Sequence, residues 1–210
     1  MKLIEMTVSE YLASVASDAP APGGGSTAAL CGAQGSGLAA MVAKLTIGKK
    51  KYHDDQELCI RVASDAEILA KTLEAQIDKD TEAYKLIAAA YKLPRKTEEE
   101  KALRKKAIAD ATLVATEVPF ETMRMAQQGL VLVSPLVGHS NVNCASDLGV
   151  AALNLTAAMR GAWMNVMINV SGVTDEVRKE EFLKQGEHMF KECETIGKET
   201  YAALLASIGG

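Results

Sequence analysis

Aromatic side chains are scarce in this 210-residue chain, which has one Trp, five Tyr and three Phe, 4% of the total. The hydrophobic share is still 48%, ample for a core. That core must be built from alanine and aliphatic groups, which suits helices packed closely on helices better than sheets. Histidine is thin as well: His53, His139 and His188 lie far apart, and Cys31, Cys59, Cys144 and Cys193 form no CxxC pair. Without clustered ligands there is no signature of a zinc or di-iron site, so no metal is expected, and the cysteines read as reduced packing thiols. Positive charge is not in excess, with 23 Lys and Arg against 27 Asp and Glu and a net charge of −4. That balance argues against a nucleic-acid partner. Long apolar runs are missing too, because 28–47 is interrupted by Gln34 and Lys44, and 148–170 by Asn154, Arg160, Asn165 and Asn169. No membrane span is expected. The opening MKLIEMTVSE lacks a signal peptide's basic start and apolar core, giving an expected cytoplasmic location.

What is present is helical periodicity. Thr7 with Glu10 forms a capping box for a short first helix to about Ser17, and Asp18 to Gly25 is a loop. Ser26 or Thr27 is expected to cap a second helix to about Gly48. A long amphipathic pattern from about Asp54 to Tyr91 ends at Leu93-Pro94. Thr97 with Glu100 opens a helix through Val114, which Pro119 is expected to kink or restart before Leu132. After a turn-rich connector, Ser134 to Asn143, one helix covers about Ala145 to Val170. A last helix starts at Thr174 and runs to about Ser207. No stretch alternates with period two. The expectation is an all-α, single-domain bundle of about six to seven helices over residues 1–210.

The segment Pro20 to Tyr52, PAPGGGSTAALCGAQGSGLAAMVAKLTIGKKKY, stands out. A triple glycine feeds a helix of Ala, Gly and Ser, small enough for another backbone to approach closely, and free N–H groups at its start would attract an electron-rich ligand. The loop is neither a Walker A motif nor a dinucleotide fingerprint, because no Gly-Lys-Ser/Thr follows and no strand precedes it. Lys49, Lys50 and Lys51 complement the dipole at a helix C-terminus, which accounts for most of them.

Elsewhere polar residues break apolar faces. Lys71, Glu74, Asp78, Glu82 and Lys85 form a solvated stripe, whereas Asp80 falls among Leu69, Leu73, Ile77, Tyr84 and Ile87. A carboxylate there needs a partner, a raised pKa or a ligand, so Asp80 is either a satisfied core residue or a functional one. At about 100° per residue, Asn154, Asn165 and Asn169 return to the direction of Asp147. Such a stripe either glues helices together or reads the donors and acceptors of a heterocycle. His139, in a Gly-His-Ser-Asn loop, is an imidazole of the kind that shuttles protons, but it receives no catalytic role.

Together, PAPGGGSTAAL (Pro20 to Leu30), LTIGKKKY (Leu45 to Tyr52), IDKDTEAY (Ile77 to Tyr84), NVNCASDLGVAAL (Asn141 to Leu153) and NVMINV (Asn165 to Val170) resemble the cyclodeaminase/cyclohydrolase family. That family includes the cyclodeaminase domain of formiminotransferase-cyclodeaminase and free-standing methenyltetrahydrofolate cyclohydrolases. The resemblance spans nearly the whole chain. It implies an all-helical fold, a homodimer or larger homo-oligomer, a tetrahydrofolate substrate and no further cofactor. It also implies that Asp78 to Tyr84 and Asn141 to Asp147 border the folate site. The expected activity is conversion of 5-formiminotetrahydrofolate to 5,10-methenyltetrahydrofolate plus ammonia. One alternative is hydrolysis of 5,10-methenyltetrahydrofolate to 10-formyltetrahydrofolate; another is a non-enzymatic folate-binding or scaffold protein. The catalytic candidates are Asp80, Asp147 and Asp78. Candidates for substrate binding are Gly24, Gly25, Ser26, Lys49, Tyr52, Tyr84, Asn141, Asn143, Asn165 and Asn169, with the lysines at 49–51 set to meet the glutamate tail.

Overall fold

A computed structural model describes residues 2–209. Its helices are α1 (Val8–Val15), α2 (Gly24–Lys44), α3 (Gln56–Tyr91), α4 (Glu98–Val133), α5 (Ala145–Val170) and α6 (Glu176–Gly209), with short 3-10 turns before α1, between α2 and α3, and between α4 and α5. No strand occurs among the described residues. The capping boxes expected at Thr7 and Thr97 are both formed, each hydroxyl accepting from the N–H of the Glu three residues on.

Three boundaries differ from the sequence reading. Helix α2 begins at Gly24, with Gly23 at the cap and no capping side chain of its own, and it stops at Lys44. Pro119 lies inside an unbroken α4. A proline removes only the bond to the carbonyl four residues back, and the flanking turns keep the axis where neighbouring helices hold it. The final helix is capped by Asp175 rather than Thr174, since the Asp175 carboxylate accepts from the N–H groups of Val177 and Arg178 at 3.0 and 3.1 Å.

Helix α2 is the axis of the bundle. It packs between α3 and α5, α4 closes the opposite side, and α6 covers α4 and α5. Its alanines and glycines permit this, because a bulkier residue would hold the neighbours apart. Leu155 shows how close the packing is: a Cβ on Gly35 of α2 would lie 2.7 Å from Leu155 Cγ, and one on Gly129 of α4 2.4 Å from Leu155 Cδ2. One leucine therefore fills the space left by two absent side chains. Phe120 and Phe182, edge to face at 5.0 Å, close the α4–α6 contact. No described helix is long and apolar enough to cross a membrane.

Candidate active site

Asp80 sits on α3, half-buried, facing the first turn of α2. Its Oδ2 accepts from the Ser26 N–H at 2.8 Å and from the Ser26 hydroxyl at 2.9 Å. The carboxylate thus supplies, from another helix, the cap that Gly23 lacks, and the positive end of α2 points at it. No described residue donates to Oδ1. Burial pushes the Asp80 carboxyl above the usual carboxylate range, and the two Ser26 hydrogen bonds oppose the rise. Gly25 is the reason the chain can approach: a Cβ there would lie 1.9 Å from Asp80 Oδ1.

Around this carboxylate opens a cleft of about 220 Å³, lined by Pro20, Ala21, Gly23 to Gly25, Asp80, Ala83, Tyr84, Ile87, Ala115, Asn165, Ile168 and Asn169. Asn165 donates from Nδ2 to the Gly161 carbonyl, and Asn169 from Nδ2 to the Ala115 carbonyl, both at 2.8 Å. Both amide oxygens are left as acceptors without a described donor. The Ala115 carbonyl is available because its usual partner, four residues on, is Pro119, which has no N–H. Pro119, unremarkable as a site residue in the sequence, therefore fixes the orientation of Asn169. A carbonyl four residues before a mid-helix proline is the signal that would have found it. Roomier clefts of about 620 and 640 Å³ lie around Arg124, but neither gathers any of the motif residues.

Six of the expected residues, Gly24, Gly25, Asp80, Tyr84, Asn165 and Asn169, line this cleft, and Ser26 holds its carboxylate. The others lie elsewhere. Asp78 points away from the cleft, and its Oδ1 accepts the Leu3 N–H at 2.6 Å, tying the N-terminal turn to α3. Asp147 is in the first turn of α5, eighteen residues before Asn165, which at 1.5 Å per residue is about 27 Å of helix. It shares a direction with the asparagines but cannot reach Asp80 in the same chain. Lys49, exposed, lies beyond the other end of α2, about 30 Å from Gly24 by helix rise. Within one chain the lysines at 49–51 therefore do not line this cleft.

Tyr52, Asn141 and Asn143 form a separate knot at that far end. The Val142 N–H donates to the Tyr52 hydroxyl at 2.9 Å, the Asn141 N–H donates to Thr46 Oγ1 at 2.9 Å, and the Asn143 N–H donates to Asn141 Oδ1 at 3.3 Å. Tyr52 and Asn141 are buried, and they lock the turn before α5 to the end of α2. His139 Nδ1 lies 2.8 Å from Asp55 Oδ1 at the same end.

The sequence model described as formiminotransferase-cyclodeaminase matches residues 7–188. A methenyltetrahydrofolate cyclohydrolase of Methylorubrum extorquens is 38% identical over 96% of this chain and 97% of its own length. The formimidoyltransferase-cyclodeaminase of Rattus norvegicus is 31% identical over 92% of this chain, which corresponds to only 36% of the rat protein. Among solved structures, a formiminotetrahydrofolate cyclodeaminase from Thermotoga maritima superimposes with a TM-score of 0.79 at 28% identity, covering 98% of this chain and 97% of that one. With its helical architecture and this match along nearly its whole length, the chain belongs to the formiminotransferase-cyclodeaminase family of folate one-carbon enzymes.

Proposed function

We propose that the chain is a methenyltetrahydrofolate cyclohydrolase, adding water to 5,10-methenyltetrahydrofolate and opening the ring to 10-formyltetrahydrofolate, with no cofactor beyond the folate. The observation that carries this reading is the Asp80 carboxylate, with one oxygen anchored on a helix N-terminus and the other free at the cleft. Oδ1 takes a proton from water as the water oxygen bonds to the methenyl carbon. The Asp80 carboxyl then passes that proton to N5 as the carbon–N5 bond breaks, and the hydroxyl proton of the adduct leaves to solvent. A carboxyl whose hold on a proton is strengthened by burial suits both steps, and the carboxylate form offsets the positive charge of the methenyl group. The oxygens of Asn165 and Asn169 accept from pterin N–H groups, and Tyr84 offers a face to the aromatic rings. Identity of 38% across nearly the whole length of a cyclohydrolase favours this reaction over the second reading. That second reading is ring-closing deamination of 5-formiminotetrahydrofolate, which the Thermotoga maritima structure favours and for which the same carboxylate would deliver a proton to departing ammonia.

Two assays test the choice: loss of 5,10-methenyltetrahydrofolate absorbance, and ammonia release from 5-formiminotetrahydrofolate. Asp80→Asn should fold, because an amide oxygen can still accept from Ser26, and should lose roughly 10²-fold or more of turnover. Wild-type rates in that variant would refute the assignment.

We also infer a homodimer built on α5. Val150, Leu153, Met164, Met167 and Ile168 are exposed along one side of this helix, with small Ala157 at their centre. A two-fold axis at Ala157 sets the partner's Asp147, ten residues before it, opposite Met167, ten residues after it, between Asn165 and Asn169. The cleft of one chain would then gain the carboxylate that is too far away in its own. Its volume, about 220 Å³, is below the ~300–1,000 Å³ usual for a small-molecule site, consistent with a missing wall. Ala157→Arg should give monomers with little activity, and a fully active monomer would overturn the inference.

A further inference from the structure

The Ser26 hydroxyl, fully buried in the first turn of α2, has more partners than it has hydrogens. Its Oγ lies 2.9 Å from Asp80 Oδ2, 2.9 Å from the Ile77 carbonyl oxygen and 3.3 Å from Thr81 Oγ1. A hydroxyl donates one hydrogen, while a carbonyl and an ionised carboxylate only accept. The single Ser26 hydrogen therefore serves Asp80 or Ile77, one at a time. Thr81 can donate to Ser26 Oγ whichever way that hydrogen turns, so the oxygen stays in place while the hydrogen moves. Neither acceptor is orphaned when it is left. Asp80 Oδ2 keeps the Ser26 N–H at 2.8 Å, and Ile77, inside α3, has the Thr81 N–H as its helical partner.

The two acceptors differ in one respect: only Asp80 changes charge. A hydrogen bond to an ionised oxygen is roughly twice as strong as one to a neutral oxygen, so with the carboxylate ionised the hydrogen belongs on Oδ2. Once Oδ1 holds a proton, Oδ2 is a carbonyl oxygen like that of Ile77 and its advantage is gone. Few other groups bear on this balance. No cation lines the cleft, and α4 and α5 contribute only uncharged residues to it. On α3, Asp78 is turned to the Leu3 N–H, Lys79 is exposed and Tyr84 is a neutral phenol at the cleft. Burial pushes the Tyr11 phenol of α1 and the Cys31 thiol of α2 above their usual ranges, so both stay neutral where a carboxyl titrates.

We propose, resting on the reading of Asp80 as the proton carrier, that Ser26 is a positioning residue for proton transfer: its hydroxyl hydrogen turns from Asp80 Oδ2 to the Ile77 carbonyl as Oδ1 gains a proton, and turns back as that proton leaves. The only motion is rotation about the Cβ–Oγ bond of Ser26. A donor that moves to another acceptor stabilises the carboxylate without penalising the acid, which suits a group that must both take and return a proton. Alanine at this position would supply the same N–H to Oδ2 and leave this second function unfilled.

The test follows the intact chain by NMR, with carbon-13 at the isoleucine carbonyls and the aspartate carboxyls. In wild type the Ile77 carbonyl signal should shift with the same midpoint as the Asp80 carboxyl; a signal that stays flat through that titration would overturn the proposal, and this measurement needs no variant. In Ser26→Ala the Ile77 shift should vanish and the Asp80 midpoint should rise by about one pH unit. The acidic limb of kcat/KM should move to higher pH by the same amount, with KM on the plateau within about twofold of wild type. Ser26→Cys, whose thiol is a weaker donor, should give a smaller rise. An unmoved Asp80 midpoint in Ser26→Ala would also overturn the proposal. Asp80→Asn separates this from the reaction assignment. If that variant loses turnover while neither Ile77 nor the Asp80 midpoint responds to Ser26, the Asp80 assignment stands and the role of Ser26 falls. If Ile77 follows the carboxyl but Asp80→Asn turns over at the wild-type rate, the moving hydrogen stands and the reaction assignment falls.

Discussion

Replacing Gly25 with alanine tests whether the position of Asp80, and not merely its presence, governs the site. The added Cβ would lie 1.9 Å from Oδ1, 2.5 Å from Cγ and 2.9 Å from Oδ2 of Asp80. Ordinary contact begins near 3.4 Å, so the carboxylate must retreat by about 1.5 Å. A retreat of that size stretches the 2.8 and 2.9 Å bonds from Ser26 past hydrogen-bonding range. Each bond to a charged group contributes about 1.5–3 kcal/mol, but the displaced carboxylate regains water, and alanine favours the helix by up to ~1 kcal/mol. A net loss of about 1–3 kcal/mol in stability is expected. Activity should suffer more, since a misplacement of ~1 Å can cost on the order of 10²-fold. The comparison is Gly37→Ala, a replacement in the same helix with nothing within 4 Å of the new Cβ; it should leave kcat unchanged and hold or raise stability. Urea unfolding and the absorbance assay measure both quantities on both variants. A Gly25→Ala protein with wild-type kcat would refute the reasoning, because the carboxylate would then work from a displaced position.

Stability should depend on pH through Asp80. Its carboxyl is raised in the folded protein by burial, so the folded state holds the proton to higher pH than the unfolded chain does. The contribution is complete below the unfolded carboxylate range and is lost as pH rises through the raised folded value. Asp80→Asn should flatten that part of the urea-midpoint profile, and an unchanged slope would assign it to other groups. Leu155→Ala, at a fully buried position between Gly35 and Gly129, should lower unfolding free energy by roughly 2–5 kcal/mol with little change in m-value, since glycine on both sides leaves nothing to collapse into the gap.

The sequence revealed Asp80 because burying a carboxylate is costly and the apolar face around it was continuous. It pointed to Asn165 and Asn169 because helical projection puts them on one face, which lines the same cleft as Asp80. The same projection keeps direction and discards distance, so within one chain it could not show that Asp147 and Asn165 belong to different ends of a 26-residue helix. Asp78 was misread for another reason. Its partner, the Leu3 N–H, is 75 residues away, and no local pattern predicts a contact of that range. The start of α2 was placed late because Ser26, a typical capping residue, is instead the residue being capped, by Asp80.

Pro119 sets helix stability against the Asn169 contact in this fold. A helix-interior proline costs about 3 kcal/mol relative to alanine, and Pro119→Ala would restore the bond from position 119 to the Ala115 carbonyl. That same bond would compete with the Asn169 amide now held there. Selection for thermal stability alone would be expected to remove this proline. Retention of proline among relatives that keep an asparagine at the position of Asn169, and its loss where that asparagine is gone, would identify the pair as a single functional unit.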